Sequence, residues 1–306
     1  MKYLVTGGAG FIGSHIAEEL LAAGHQVRVF DNLSSGYERN IETLDVEFVC
    51  GDVRDLAALK TAARGVDGIF HEAAMVSVPE SVEKPVENNA INVTGTMNAL
   101  LAARECGVRR VLLASSAAVY GNNPELPKRE DMLPEPVSPY ALGKIAGEYY
   151  QRVFAELYDV QTVSLRYFNV FGPRQDPGSM YSGVISKFVD VVKSGATPTI
   201  FGDGQQTRDF VFVKDVVQAN LLAMSSEDVG NGEVFNVGTG KRTSLLELIE
   251  TLAAIFDREV SPDFAEQRTG DIRHSVSDIS RASATLNYQP RATLEEGLRA
   301  LVDYGA

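Results

Sequence analysis

Six short apolar, β-branched runs alternate with helical stretches over the first half of the chain, and that alternation limits the fold more than any other feature. Lys2–Thr6, Gln26–Phe30, Val46–Cys50, Gly68–His71, Arg110–Ser115 and Gln161–Arg166 read as strands. Phe11–Ala23, Leu56–Ala63, Val86–Glu105 and Tyr140–Leu157 read as helices between them. Strands separated by helices are joined by crossovers and pair in parallel, in a doubly wound sheet. Most of them lack polar alternation, as expected when helices cover both faces of a sheet. The second half reads differently. Phe168–Met180 is rich in Gly, Pro and Asn and reads as a loop. Helices follow at Gly183–Ser194, Asp215–Ser225, Leu245–Phe256, Ile279–Leu286 and Leu294–Tyr304, with strands at Thr199–Phe201, Phe210–Val213 and Val234–Val237. The expected organisation is a domain over residues 1–167 and a smaller lobe over residues 168–306, with some lobe segments crossing back. The site is expected between the two.

The first strand runs straight into Thr6-Gly7-Gly8-Ala9-Gly10-Phe11-Ile12-Gly13, which opens the first helix. Glycines there allow a tight turn and bring a pyrophosphate up to the free N–H groups and positive dipole of a helix N-terminus. Alone, the pattern could be a tight strand-to-helix turn. The end of the second strand supplies the context: Asp31 lies eighteen residues after Gly13. A carboxylate at that place accepts bonds from the adenosine ribose hydroxyls and repels a 2′-phosphate, so the cofactor read is NAD rather than NADP. Gly51-Asp52-Val53 ends the third strand, where an adenine ring would sit, although Gly-Asp there is also a common turn. The fold class expected is therefore α/β: a Rossmann-type doubly wound parallel sheet with a smaller C-terminal α/β substrate lobe.

Ser115-Ser116 ends the fifth strand, and Tyr140-Ala-Leu-Gly-Lys144 opens a helix after a proline-rich loop. Tyr and Lys four apart share one helical face. An ammonium and a nicotinamide cation beside a phenol favour phenolate, which turns a poor base into a usable one. The five-residue pattern alone would be an ordinary amphipathic helix. After a dinucleotide motif and a strand-end serine it reads as a catalytic set.

Composition removes several classes. The net charge of −13 argues against a nucleic-acid surface, which needs clustered Lys and Arg. No stretch is long enough to span a bilayer, and the first strand begins at Lys2 without room for a signal peptide, so a cytoplasmic protein is expected. Cys50 and Cys106 match no metal spacing and read as buried thiols of a reducing compartment.

These motifs together resemble the extended short-chain dehydrogenase/reductase family, and within it the UDP-hexose 4-epimerases. The resemblance runs almost end to end: the TGGAGFIG run, Asp31-Asn32, Gly51-Asp52, His71-Glu-Ala-Ala74, Ser115-Ser116-Ala-Ala-Val-Tyr-Gly121, Tyr140 with Lys144, Arg166-Tyr-Phe-Asn-Val-Phe-Gly172 and Arg208-Asp209. The tail Gly270-Asp-Ile-Arg-His-Ser275 resembles the UDP-N-acetylglucosamine 4-epimerase branch most. The resemblance implies that Tyr140 takes the proton of the sugar 4-hydroxyl, that Ser116 holds the reacting oxygen, and that Lys144 bonds the nicotinamide ribose. A 4-keto sugar then turns over before reduction on its other face. It implies an NAD site of Gly7, Gly10, Phe11, Ile12, Gly13, Asp31, Asn32, Asp52, Val53, Ala73, Ala74, Asn92, Tyr140, Lys144 and Phe168.

For the UDP-sugar, the resemblance implies Ser77, Ser116, Tyr140, Asn169, Gly183, Val184, Thr199, Phe201, Arg208, Arg268, Asp271 and Ser275. Asn169 and Arg208 would meet the diphosphate, with Arg268 helping. Asp271 would meet the uridine ribose, and Thr199–Phe201 would flank the uracil. Small side chains at Ser77, Gly183 and Ser275 would leave room for a 2-acetamido group. Arg208 could instead simply pair with Asp209 or another surface acid. A homodimer paired through Val86–Glu105 and Tyr140–Leu157 is also implied. A 4,6-dehydratase is disfavoured, because Ala117 and Ala118 stand where that chemistry needs an acid. A 4-epimerase of UDP-glucose only or of UDP-glucuronate, a decarboxylase and a non-catalytic NAD sensor are the other readings.

Overall fold

The apolar runs of the first half become the strands of one parallel sheet, and the glycine turn after the first of them opens the first helix. The computed structural model describes residues 1–176, 184–266 and 272–305. Its first half contains β1 (Lys2–Thr6), α1 (Phe11–Ala22), β2 (Gln26–Asp31), β3 (Glu47–Cys50), α2 (Leu56–Ala63), β4 (Gly68–His71), α3 (Val78–Glu83), α4 (Pro85–Asn88), α5 (Gly95–Cys106), β5 (Arg110–Ser116), α6 (Pro139–Tyr158) and β6 (Gln161–Tyr167). The remainder contains β7 (Asn169–Phe171), α7 (Val184–Lys193), β8 (Thr199–Phe201), β9 (Thr207–Arg208), β10 (Phe210–Phe212), α8 (Val213–Ser225), β11 (Asn231–Val237), β12 (Thr243–Ser244), α9 (Leu245–Ile255), β13 (Asp263–Ala265), α10 (Ser280–Leu286) and α11 (Leu294–Tyr304).

Seven strands form a parallel sheet in the order β11-β6-β5-β4-β1-β2-β3. The chain reverses direction across the sheet between β1 and β4. In open α/β sheets, ligands bind in the crevice beyond the strand C-termini at such a switch point. β11 comes from the second half and pairs with β6. The helix before it, α8, buries Val216 and Val217 in the same core as Ile16 and Leu20 of α1. The opposite face buries Leu59 of α2, Leu100 of α5 and Phe154 of α6. A separate core made by α7, α9 and α11, including Phe188, Leu248 and Leu298, holds the smaller lobe together. Three two-stranded pairings, β10 with β7, β12 with β9 and β13 with β8, lie outside the seven-stranded sheet.

Three expectations need correction. The glycine- and proline-rich segment read as loop contains β7, whose Asn169–Phe171 pairs with Phe210–Phe212. The single helix expected over Val86–Glu105 is divided: a π-helical turn, Asn89–Thr94, separates α4 from α5. Beside that turn the Thr96 hydroxyl donates to the Asn92 carbonyl at 2.7 Å, and the Asn92 amide is drawn towards another element. The cysteines are not both buried. Cys50 is exposed because β3 is an edge strand, and Cys106, the last residue of α5, is half-buried with its thiol directed to the Lys60 carbonyl. No helix among the described residues is long and apolar enough to cross a membrane.

Candidate active site

The cradle is built first from what the glycines permit. Gly7 has φ +68, and a Cβ there would lie 2.7 Å from the Ala73 nitrogen, so the first turn touches the chain leaving β4. A Cβ on Gly13 would lie 2.3 Å from the Gly7 carbonyl oxygen. The turn thus folds back on the helix it opens, with the Gly10 N–H donating to the Gly7 carbonyl at 3.0 Å. Gly10 is the N-cap and no side chain caps α1, nor is there an acid in its first turn. The amides of Phe11, Ile12 and Gly13 are left pointing at the crevice without intrahelical acceptors, which suits a pyrophosphate.

Asp31 is buried beside this turn. Its two oxygens accept from the Ala9 N–H at 3.0 Å and the Leu33 N–H at 2.8 Å. Burial raises its pKa, and those two bonds pull it back. A carboxylate has about four lone-pair sites, so two accepted bonds leave capacity for ribose hydroxyls. At the neighbouring strand end, Asn32 donates to Asp52 at 2.9 Å, and Arg54 grips the same carboxylate through Nε and Nη2. That grip holds the Asp52 carboxyl well below the usual range. Val53, next along, is buried. These residues fit an NAD cofactor: free amides for the pyrophosphate and a carboxylate for the adenosine ribose.

The reacting end lies along β5 and α6. Ser138 caps α6, accepting from the Ala141 N–H, and Pro139 starts it, so Tyr140 stands in the first turn. Ser116 lies at the end of β5, and its Oγ accepts from the Ala118 N–H at 3.1 Å. Burial pushes the Tyr140 phenol up, and a hydrogen bond from the Ser116 hydroxyl pulls it down. Lys144 is buried; its Nζ donates to the Ala114 carbonyl at 2.7 Å and lies 5.7 Å from the centre of the Tyr140 ring. Burial pushes the ammonium down to about 8. Ser116 and Lys144 therefore both lie near Tyr140.

Sequence reasoning missed Glu72. It stands directly after β4, and its Oε1 accepts from the Tyr167 hydroxyl at 2.9 Å. Burial drives its carboxyl up to about 7, against that bond and the Lys144 charge. Glu72 in turn acts to raise the Lys144 pKa. The only sequence signal was an acid after the apolar run Gly-Ile-Phe-His. Its neighbour His71 is held between the Thr6 and Thr96 hydroxyls, 2.8 and 3.3 Å away, and burial drives it down to about 3. It stays neutral and orders the strand ends.

Other predicted cofactor residues divide by role. Ala73 borders the Gly7 turn, Ala74 follows it, and Phe168 is buried in one cluster with Tyr120 and Ile145. Asn92 is buried and fully committed: its amide pairs with both backbone groups of Met75 at 2.9 Å, and it also reaches Asn88. It braces the segment that follows Ala74. Ser77, predicted on the sugar wall, is buried, and its hydroxyl caps α3 by accepting from the Glu80 N–H.

On the substrate side, Asn169 starts β7 and donates to the Asp209 carbonyl. Arg208 lies on β9, where Nη1 donates to the Thr207 carbonyl at 2.9 Å. The bland pairing with Asp209 is not what occupies that acid: its oxygens accept from Thr239, Gly240 and Ser277. The Ser275 N–H donates to the Thr207 carbonyl at 3.1 Å, which sets the small Ser275 next to the strand bearing Arg208. Thr199 and Phe201 lie on β8 beside β13, and Val184 opens α7. Gly183, Arg268 and Asp271 lie outside the described residues.

A parallel sheet with a glycine cradle at its switch point, Ser116 at the end of β5 and Tyr140 with Lys144 on α6 packed against it defines a dinucleotide-dependent enzyme. Residues 3–238 match the model of the NAD dependent epimerase/dehydratase family, and the chain belongs to that family. It is 43% identical over 311 residues to a UDP-glucose 4-epimerase of Mycolicibacterium smegmatis, covering 99% of this chain and 98% of that protein. It is similar to the UDP-N-acetylglucosamine 4-epimerase from Methanobrevibacter ruminantium, solved with UDP-N-acetylmuramic acid, with a TM-score of 0.94, 38% identity and coverage of 99% and 97% of the two chains. The UDP-glucose 4-epimerase of Thermus thermophilus, solved with NAD, matches with a TM-score of 0.89, 39% identity and coverage of 99% and 98%.

Proposed function

We propose that this chain is an NAD-dependent UDP-sugar 4-epimerase that inverts the configuration at carbon 4 of a UDP-linked hexose. The observation that carries the reading is the joint placement of Ser116, at the end of β5, with Tyr140 and Lys144 of α6, against the sheet that carries the dinucleotide cradle. Bound NAD supplies a reversible hydride acceptor for sugar carbon 4, so that a 4-keto sugar forms and is reduced again. Tyr140 takes the proton of the 4-hydroxyl. Ser116, close enough to lower the Tyr140 phenol, holds the same hydroxyl. Lys144, anchored by the Ala114 carbonyl, supplies the positive charge that favours phenolate. Ala117 and Ala118 form the turn after Ser116 and offer no acid to expel a hydroxyl, which supports epimerisation over dehydration.

The substrate we favour is the UDP-N-acetylglucosamine/UDP-N-acetylgalactosamine pair, with the smaller UDP-glucose/UDP-galactose pair also accepted. Support comes from Ser275, a small residue set beside the Arg208 strand. Arg208 and Asn169 are the diphosphate contacts in this reading. We also favour a homodimer built through α6. Leu142, Tyr149, Val153 and Leu157 recur along that helix at spacings of seven, four and four residues and are exposed, Leu157 by 64%. A second copy presenting the same stripe would bury both. Incubating the pure protein with a panel of UDP-sugars and resolving the products tests the reading. The two acetylated epimers should interconvert; turnover of UDP-glucuronate alone would replace it.

A further inference from the structure

We propose that Glu148 is a positioning residue for this site: its carboxylate ties α6 to two neighbouring strands and so fixes how Tyr140 and Lys144 stand relative to Ser116. Only the kinetic part of the proposal rests on the epimerase reading. Glu148 follows Lys144 by four residues and Tyr140 by eight, so all three share one face of α6. Its Oε1 accepts from the Ser115 hydroxyl at 2.5 Å and from Arg166 Nε at 2.9 Å, and its Oε2 accepts from Arg166 Nη2 at 2.8 Å. Both side chains of the ion pair are 3% exposed.

The register of the sheet gives these bonds their meaning. Ser115 of β5 stands opposite Arg166 of β6, so one carboxylate clasps two strands at one level. Lys144 clasps the residue before, through the Ala114 carbonyl, and the residue after is Ser116. α6 is thus pinned at Ala114 and Ser115, and the next residue along β5 is Ser116, whose hydroxyl lowers the Tyr140 phenol. The helix also lies close to its neighbours at its glycines: a Cβ on Gly147 would lie 2.9 Å from Leu113. The tie continues outward, because the Arg166 guanidinium sits 4.8 Å above the Tyr120 ring and the Tyr120 hydroxyl donates to Asn236 of β11.

Stability is a poor explanation for this arrangement. A buried ion pair pays heavy desolvation, and apolar side chains of similar size commonly do as well or better. What the pair supplies is geometry, two charge-assisted bonds of fixed direction plus a third from Ser115. Displacing a reacting group by about 1 Å can cost about 10²-fold in rate.

The test compares parent, Ser115→Ala and Glu148→Gln in the NAD-loaded protein. It reads kcat and KM on UDP-sugars, retained NAD, and the Tyr140 titration, the last by phenolate difference absorbance against Tyr140→Phe. The sign separates positioning from charge. Losing Glu148 leaves the Arg166 charge uncompensated, which by electrostatics alone favours phenolate and lowers the Tyr140 titration. Moving Tyr140 away from Lys144 and Ser116 raises it. The expected result is a Tyr140 titration shifted upward, kcat lower by about 10- to 100-fold, KM within about two-fold of the parent, and NAD retained. Ser115→Ala should change in the same direction by less. It leaves the ion pair intact, so it decides the matter if Glu148→Gln fails to fold. A Tyr140 titration that stays or falls, or an unchanged kcat in a folded Ser115→Ala, overturns the proposal. A parent protein that turns over no UDP-sugar rejects the functional reading, and the titration still decides the role of Glu148.

Discussion

Gly13→Ala tests the cradle at its tightest point. The added methyl would lie 2.3 Å from the Gly7 carbonyl oxygen and 2.9 Å from both the Gly7 carbonyl carbon and the Gly8 Cα. All three are backbone atoms, so no flexible side chain can swing away. Gly7 has little room to yield, because a Cβ on it would already lie 2.7 Å from the Ala73 nitrogen. The turn must therefore move away from the start of α1, and the Phe11, Ile12 and Gly13 amides lose their common aim. Overpacking of this kind costs about 1–3 kcal/mol, which corresponds to about 5- to 150-fold weaker NAD binding at about 1.4 kcal/mol per tenfold. Gly10→Ala is the graded control. Its methyl would meet only the Gly7 carbonyl oxygen, at 3.1 Å, and its φ of −79 suits any residue. Its loss should stay under about five-fold, or about 1 kcal/mol. Calorimetric titration of NAD into cofactor-stripped protein measures both. Parent-like affinity in Gly13→Ala, or a larger loss in Gly10→Ala, would refute the placement of the pyrophosphate on these amides.

Tyr140→Phe should retain NAD yet lose about 10²–10⁴-fold in kcat, with Ser116→Ala losing less; near-normal turnover in Tyr140→Phe would show that another group is the base. Burial raises the Glu72 carboxyl from its ordinary 4.5 to about 7, so its stabilising contribution is complete below about pH 4.5 and is lost as pH rises through about 7, up to about 3 kcal/mol. Glu72→Gln should therefore flatten the fall in melting temperature between about pH 5 and pH 8, and an equal fall in both proteins would remove Glu72 as its source. Ser275→Tyr should cut kcat/KM on the acetylated pair by about 5- to 150-fold while sparing the unacetylated pair; equal losses would show that Ser275 does not bound the acetamido space. Leu157→Glu places a charge in the exposed α6 stripe and should turn a dimer into monomers in sedimentation, whereas a parent protein already monomeric at micromolar concentration would rule out the dimer.

The parts of the site that were legible in the sequence are those whose physics is local. The strands and helices of the first half announce themselves through periodicity, and the Gly7–Gly13 turn through the backbone freedom it needs. Tyr140 and Lys144 lie within five residues of each other on one helix. What stayed hidden depends on which strand lies beside which. Cys50 reads as an apolar strand residue until β3 proves to be the sheet's edge. Nothing in Asn231–Val237 says that it returns to β6 rather than remaining in the second lobe. Glu72 looks like a solvated strand end, and its burial follows only from Tyr167 of β6 and the Lys144 charge reaching the same place. Glu148 and Arg166 are eighteen residues apart and read as a helix acid and a strand base until they meet behind Ser115. Asn92 sits in a helical run by pattern, and only the partner amide of Met75 explains its placement.

Inversion at carbon 4 within one active site is tested most directly by substrate carrying deuterium on that carbon. UDP-N-acetylglucosamine labelled at carbon 4, incubated with pure NAD-loaded protein, should yield both 4-epimers with the label retained on carbon 4. Label lost to solvent would contradict the mechanism, and no second epimer from this or any other UDP-hexose would contradict the function.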